Sequence, residues 1–175
     1  MIIGLGGLAR SGKDTFYNYT ALFFRQRGIG CARFAFADEL KKELDSFCTE
    51  SYGISSFSSN DKEKSIIRPI LVAHGMIKRE ISNGTYWINK IKNKAEENSK
   101  QGKISVITDV RFENEVSIVN SIGGKSIHIT RDGNKPPNSE EAENDPKVKD
   151  LCFYKFKWDN FDTKKKDYAE EVVFS

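Results

Sequence analysis

The chain has 175 residues, 38% hydrophobic and 30% charged, with a formal net charge of +3. That length and mix fit one soluble domain able to bury its own core, and so small and dispersed a positive charge argues against a nucleic-acid binder. No run approaches the ~20 apolar residues of a membrane span, the apolar start lacks a signal peptide's basic flank, and the scattered Cys31, Cys48 and Cys152 fit reduced thiols in the cytoplasm, with no spacing for a metal site.

In chain order, residues 2–5 read as a strand and run directly into GLARSGKDT, Gly7 to Thr15, before a helical pattern over 15–26. Strand, glycine loop, lysine and helix in that order are the context a phosphate-binding loop requires. Gly12 lets the backbone curl so that N–H groups face phosphate oxygens, and the next helix adds its positive dipole end. Lys13 neutralises charge on the moving phosphoryl group, while Arg10 and Ser11 supply further donors. Where a hydroxyl usually follows the lysine, this chain has Asp14, with Thr15 one place later. An aspartate among phosphates makes sense if it faces Mg²⁺, a bound water or the incoming acceptor. Asp14 and Thr15 are therefore the expected metal contacts, made directly or through water.

Residues 31–37 read as a second strand, with helical spacing over 38–47 that carries Lys41 and Lys42. Lys41 either approaches an acceptor or belongs to a solvated face. The stretch 61–99 is helical with no strand between, which marks an insertion beside the sheet suited to holding an acceptor. Within it, Arg68 and Arg79 are three helical turns apart on one face. Such a pair fits a monophosphate, or two solvated side chains. Trp87, after Tyr86, either stacks on a base or packs the subdomain.

A third strand over 103–108 ends in Thr108-Asp109-Val110-Arg111, followed by a helix over 112–121. Ligands of open parallel sheets bind at the carboxyl ends of strands. Asp109 could hold Mg²⁺ through water or bind the acceptor, Arg111 could clamp a phosphate, and Glu115 lies one turn further on. Alternatively Asp109 caps the helix and the other two are surface residues. A fourth strand over 125–130 places Arg131 at the mouth of 132–149, a Pro-, Asn- and acid-rich segment that reads as a mobile loop or lid. A fifth strand over 151–158 and a last helix over 165–173 complete the chain, with the lysine run 164–166 on a solvated face. His74 and His128 read as packed residues. Strands alternating with helices predict an α/β fold of three layers with about five parallel strands. Residues 1–175 then form a single domain with a helical insertion at 61–99 and a lid at 132–149.

The motifs GLARSGKDT, FADELKK, RPILVAHG, YWINKI, ITDVRFENE, GGKSIHITR and NSEEAEN occur in that order over most of residues 1–150. Together they resemble the bacteriophage-type deoxynucleoside monophosphate kinases, P-loop relatives of the cellular nucleoside monophosphate kinases. The resemblance implies a P-loop kinase fold and phosphoryl transfer from ATP, with Mg²⁺, to a deoxynucleoside monophosphate. It assigns Arg10 to Thr15 to the ATP phosphates, places Arg68, Trp87, Asp109, Arg111 and Glu115 around the acceptor, and puts Arg131 at the lid. It also implies small-molecule nucleotide partners, a homodimer, a cytoplasmic (for a phage protein, host-cytoplasmic) location, and an adenine contact near 157–161. The chain departs from the family at Gly75-Met76, where Gly-Thr is usual, at Val72-Ala73-His74, which lacks the usual glutamine, and at Asn138, where histidine is frequent. These departures bear on base choice and lid closure. Two other readings stay open. One is a different small-molecule P-loop kinase, such as one acting on dephospho-coenzyme A, whose hydroxyl acceptor needs a carboxylate base that Asp14 or Asp109 could provide. The other is a non-catalytic nucleotide-binding module.

Overall fold

The computed structural model describes residues 1–158. The helix expected at 165–173, the lysine run 164–166, and positions 159–161 of the expected adenine contact lie outside the described residues. The chain divides into two compact units, Met1–Phe34 with the described part of Lys94–Ser175, and Ala35–Asn93.

The first unit is built on five strands: β1 (Ile2–Gly6), β2 (Cys31–Phe34), β3 (Ile104–Val110), β4 (Lys125–Arg131) and β5 (Tyr154–Trp158). They lie in the order β2-β3-β1-β4-β5, and every neighbouring pair is parallel. β1 is buried throughout and β3 everywhere except at Asp109, the near-continuous burial of strands covered on both faces. On one face, Phe16 of α1 (Lys13–Gln26) packs with Ile3, Leu5, Val106, Ile129 and Trp158. The other face is presented by the alternate residues of β1, Ile2, Gly4 and Gly6. There α5 (Glu113–Ser121) and α6 (Ser139–Leu151) approach closely. A Cβ at Gly4 would lie 3.1 Å from Val119, and one at Gly6 only 2.7 Å from Val148. Small residues on one side of β1 thus let two helices sit tightly against it, which makes the third layer. With β3 and β4 on either side of β1, the sheet opens a crevice where the strand order reverses, at the carboxyl ends of these three strands.

The second unit contains α2 (Phe36–Tyr52), α3 (Asp61–Ile81) and the first part of α4 (Tyr86–Lys100). Asn60 caps α3 by accepting the N–H of Lys62 at 2.9 Å, and the helix carries Pro69 within it.

Two boundaries differ from the sequence expectation. β2 stops at Phe34 and α2 begins at Phe36, because Ala35 turns the chain in an extended conformation and buries Phe36 directly behind it. The segment 132–149 is largely helix: α6 occupies Ser139–Leu151 despite Pro146 and a run of acidic residues. Asn138 starts it by accepting the Glu141 N–H at 2.8 Å, and the buried Val148 fastens it to the sheet. Among the described residues, no helix is long and apolar enough to cross a membrane.

Candidate functional site

The glycine loop joins β1 to α1 with three residues at positive φ: Gly7 at 124°, Arg10 at 63° and Gly12 at 95°. Gly7 and Gly12 are the two positions where only glycine fits. A Cβ at Gly7 would meet Ile129 O at 2.2 Å, and one at Gly12 would meet Trp158 Nε1 at 2.4 Å. Gly12 is also the residue before α1, and no side chain caps that helix. Its first-turn N–H groups therefore have no intrahelical partner, and together with the helix dipole they form an anion site.

Lys13 folds back over this loop, its Nζ donating to Gly7 O at 2.6 Å and Leu8 O at 2.7 Å. Burial lowers its pKa, the guanidinium of Arg111 lowers it further, and Glu141, Asp109 and Asp14 oppose them. Asp14 points outward, 82% exposed, 3.9 Å from Arg33 Nη2, and Thr15 is exposed beside it. Ser11 differs from the sequence expectation of a phosphate donor. It is 1% exposed, its N–H donates to Leu8 O at 3.1 Å, and among the described residues its hydroxyl has no hydrogen-bond partner.

At the end of β3, Asp109 is half-buried and Arg111 is 47% exposed at its side chain. Glu115 is buried and turned to the backbone, where its Oε2 accepts the N–H of Arg111 at 2.8 Å and of Phe112 at 3.2 Å. Its role in the geometry is to fix the turn that carries Arg111, as the first-turn glutamate of a capping box does. Arg131, exposed at the end of β4, borders a cavity of about 90 Å³ that also touches Leu8, Ser11, His128, Thr130 and Asn134. His128 is buried as expected, with Nε2 3.0 Å from Asp145 Oδ1.

In the second unit, Lys41 lies with its ammonium 5.6 Å from the centre of the Phe57 ring. Arg68 is exposed on α3, and Arg79 is half-buried. Trp87 is 3% exposed, and its indole N–H donates to Gly75 O at 3.3 Å. That geometry gives it a packing role, and its assignment to an acceptor is carried by resemblance alone. His74 pairs through Nε2 with Glu43 at 3.0 Å.

Sequence reasoning missed Glu141 and Asn134. The Ala9 N–H donates to Glu141 Oε2 at 2.9 Å, Arg111 Nη1 donates to Glu141 Oε1 at 2.8 Å, and Asn134 Nδ2 donates to Ala9 O at 2.9 Å. One signal was present: Asn138 followed three residues later by Glu141 is the spacing of a helix start.

The donor set suits Mg²⁺ in one specific way. No group of three or more His, Cys, Asp or Glu among the described residues forms a cage. The exposed carboxylate of Asp14, the hydroxyl of Thr15 and the carboxylate of Asp109 are hard oxygen donors, of the kind that hold Mg²⁺ jointly with phosphates and water.

No protein-family model matches the chain, and no curated protein matches it in sequence. Its fold is similar to that of solved structures. The shikimate kinase of Bacteroides thetaiotaomicron superposes with a TM-score of 0.50 at 11% identity, over 99% of this chain and 94% of that one. A sugar kinase from Janibacter sp. HTCC2649 gives 0.48 at 11% identity, over 98% and 93%. The shikimate kinase of Acinetobacter baumannii gives 0.46 at 12%, over 98% and 90%. The first of these likenesses shows the fold alone: like that shikimate kinase, the chain has a three-layer α/β fold, here with a five-stranded parallel sheet.

Proposed function

We propose that the protein is a small-molecule kinase that transfers a phosphoryl group from ATP to a deoxynucleoside monophosphate. The observation that carries this reading is the loop itself. Left-handed Gly7, Arg10 and Gly12 lead into an uncapped helix, with Lys13 folded over the loop carbonyls and arginines at the ends of β3 and β4. The donor phosphates lie on the first-turn N–H groups of α1, with Lys13 released from Gly7 O and Leu8 O to meet them. Arg10, exposed within the loop, is a further cation, and Arg131 borders the donor. Asp14, Thr15 and Asp109 would hold Mg²⁺, which when bound would neutralise phosphate charge.

Arg111 receives the acceptor phosphate, with Glu115 fixing its backbone. Arg68 and Trp87 belong to the acceptor side by the family pattern, and Lys41 joins them as a cation after the second strand that approaches the acceptor. A phosphate oxygen is already a nucleophile at neutral pH. No general base is required, and the rate comes from positioning and charge neutralisation. The reading places the protein in the cytoplasm as a homodimer.

A hydroxyl acceptor is the second reading. Asp109 favours it, since a half-buried carboxylate at the end of β3 is suited to taking a hydroxyl proton. One assay separates the two: Mg²⁺-dependent ADP release, with deoxynucleoside and ribonucleoside monophosphates, shikimate and dephospho-coenzyme A as acceptors. Turnover confined to deoxynucleoside monophosphates is expected. Turnover only with a hydroxyl acceptor would replace the first reading by the second, and no acceptor-dependent turnover would leave a nucleotide-binding module.

A further inference from the structure

Ala9 is the loop residue whose backbone is held from both sides. Glu141 takes its N–H at 2.9 Å, and Asn134 donates to its carbonyl at 2.9 Å. The same Glu141 carboxylate accepts from Arg111 Nη1 at 2.8 Å through its other oxygen. One side chain on α6 therefore joins the loop after β1 to the arginine after β3. Glu141 is 8% exposed, and the helix beneath it is fixed. Asn138 caps its first turn, and Val148 packs so tightly on β1 that no side chain could replace the hydrogen of Gly6. A helix seated this way forms one wall beside the loop. Arg111 keeps most of its five N–H donors for other partners.

We infer that Glu141 is a positioning residue, an internal anion that locks Arg111 and the first half of the glycine loop into one unit for receiving phosphate. The inference rests on the phosphate-site reading above and extends it to a residue that never meets the nucleotide. A carboxylate is required because both of its partners are donors. Glutamine at this position would turn an NH₂ towards either the Ala9 N–H or the Arg111 guanidinium, and one contact would be lost.

The test compares Glu141→Gln with the parent by calorimetric titration of ATP and by thermal melting of the nucleotide-free protein. Loss of one charge-assisted hydrogen bond should weaken ATP binding about tenfold to a hundredfold. Glu141→Asp, which keeps the charge and draws the carboxylate back by one methylene, should restore part of that affinity while melting like Glu141→Gln, a rescue that a purely structural contact would not produce. Parent-like ATP affinity in Glu141→Gln, or an affinity no better in Glu141→Asp than in Glu141→Gln, overturns the inference. Should Glu141→Gln fail to fold, Glu141→Asp decides alone: it should bind ATP more weakly than the parent, and parent-like affinity overturns the inference. Neither readout needs turnover. If no acceptor is phosphorylated, the proposed reaction falls while the positioning role of Glu141 is still decided.

Discussion

Glu43 in the second unit and the glycine loop in the first are both concentrations of charge, and they are built in opposite ways. On α2, the Glu43 carboxylate accepts from the Tyr86 hydroxyl and the Lys90 ammonium and pairs with His74 Nε2 at 3.0 Å. Lys78 and Lys90 also stack over the Tyr86 ring, at 4.4 and 5.1 Å. Burial would raise the Glu43 pKa, yet hydrogen bonds from Lys90, Tyr86 and His74 outweigh it and bring the carboxyl to about 2. This cluster is drawn together on one anion, which engages His74, Tyr86 and Lys90. Around the loop the balance is unfinished. Among the described residues no side chain caps the first turn of α1, and the Ser11 hydroxyl and His128 Nδ1 have no hydrogen-bond partner; three loop residues adopt positive φ. Strain and unfinished hydrogen bonding in a crevice mark a place that a ligand completes. A polar cluster that satisfies itself marks a structural tie, however many ionisable groups it gathers.

The first way to break this comparison is Lys13→Ala. If the loop is the open site, turnover should fall about a thousandfold, while thermal denaturation shows a midpoint within a few degrees of the parent. Steady-state kinetics and a melting curve on the same preparation check both halves. Parent-like turnover would remove the loop from the chemistry.

Glu43→Ala should do the reverse. Leaving Lys90, Tyr86 and His74 without their shared acceptor should cost about 2 kcal/mol in urea unfolding, with kcat in dilute buffer unchanged within about twofold. The sign of the pH effect follows from the lowered pKa. Its contribution is full above the ordinary carboxyl value of 4.5 and is lost as pH falls towards 2. Unfolding free energies of parent and variant should therefore converge over that interval. If they stay parallel, the Glu43 carboxylate is not the source of the stability.

How much of this was legible beforehand differs between the same regions. The loop was readable because its signal is local: Gly7, Gly12 and Lys13 at fixed spacing between a strand and a helix. β3 and β4 were readable as short β-branched runs. Arg111 was placed by the rule that strand ends carry sites, and Glu115 was found as a neighbour but assigned to the pocket, since its turn towards the backbone is a matter of conformation. α6 was misread because Pro146 and the acidic residues outweigh its cap in any local count, whereas Val148 against Gly6 holds the helix through packing between distant segments. Glu141 was hidden with it. The Glu43 cluster draws on α2, α3 and α4, and no spacing in the sequence announces that meeting.

Arg131→Ala asks how far the open site extends. The residue ends β4 and borders the cavity beside Leu8 and Ser11. Loss of a single exposed cation near the donor should lower kcat about tenfold and leave the acceptor KM near its parent value. A rise in acceptor KM with kcat unchanged would move Arg131 from the donor to the acceptor.

Ser11→Ala is the mildest change and the finest test of what openness means here. Sequence pattern makes the Ser11 hydroxyl a phosphate donor, but the structure turns it inward, with its N–H committed to Leu8 O at 3.1 Å and its Oγ buried beside the 90 Å³ cavity. A hydroxyl that makes no hydrogen bond loses none when removed, so stability should change by less than about 1 kcal/mol. ATP affinity should stay within about threefold, because Ser11 shapes the loop through its backbone while Lys13 and the helix N-terminus carry the charge. A tenfold loss of ATP affinity would mean that the loop rearranges on binding and turns Ser11 outward. The open character of the site would then lie in loop motion, and the cavity would matter less than it does in the unliganded geometry.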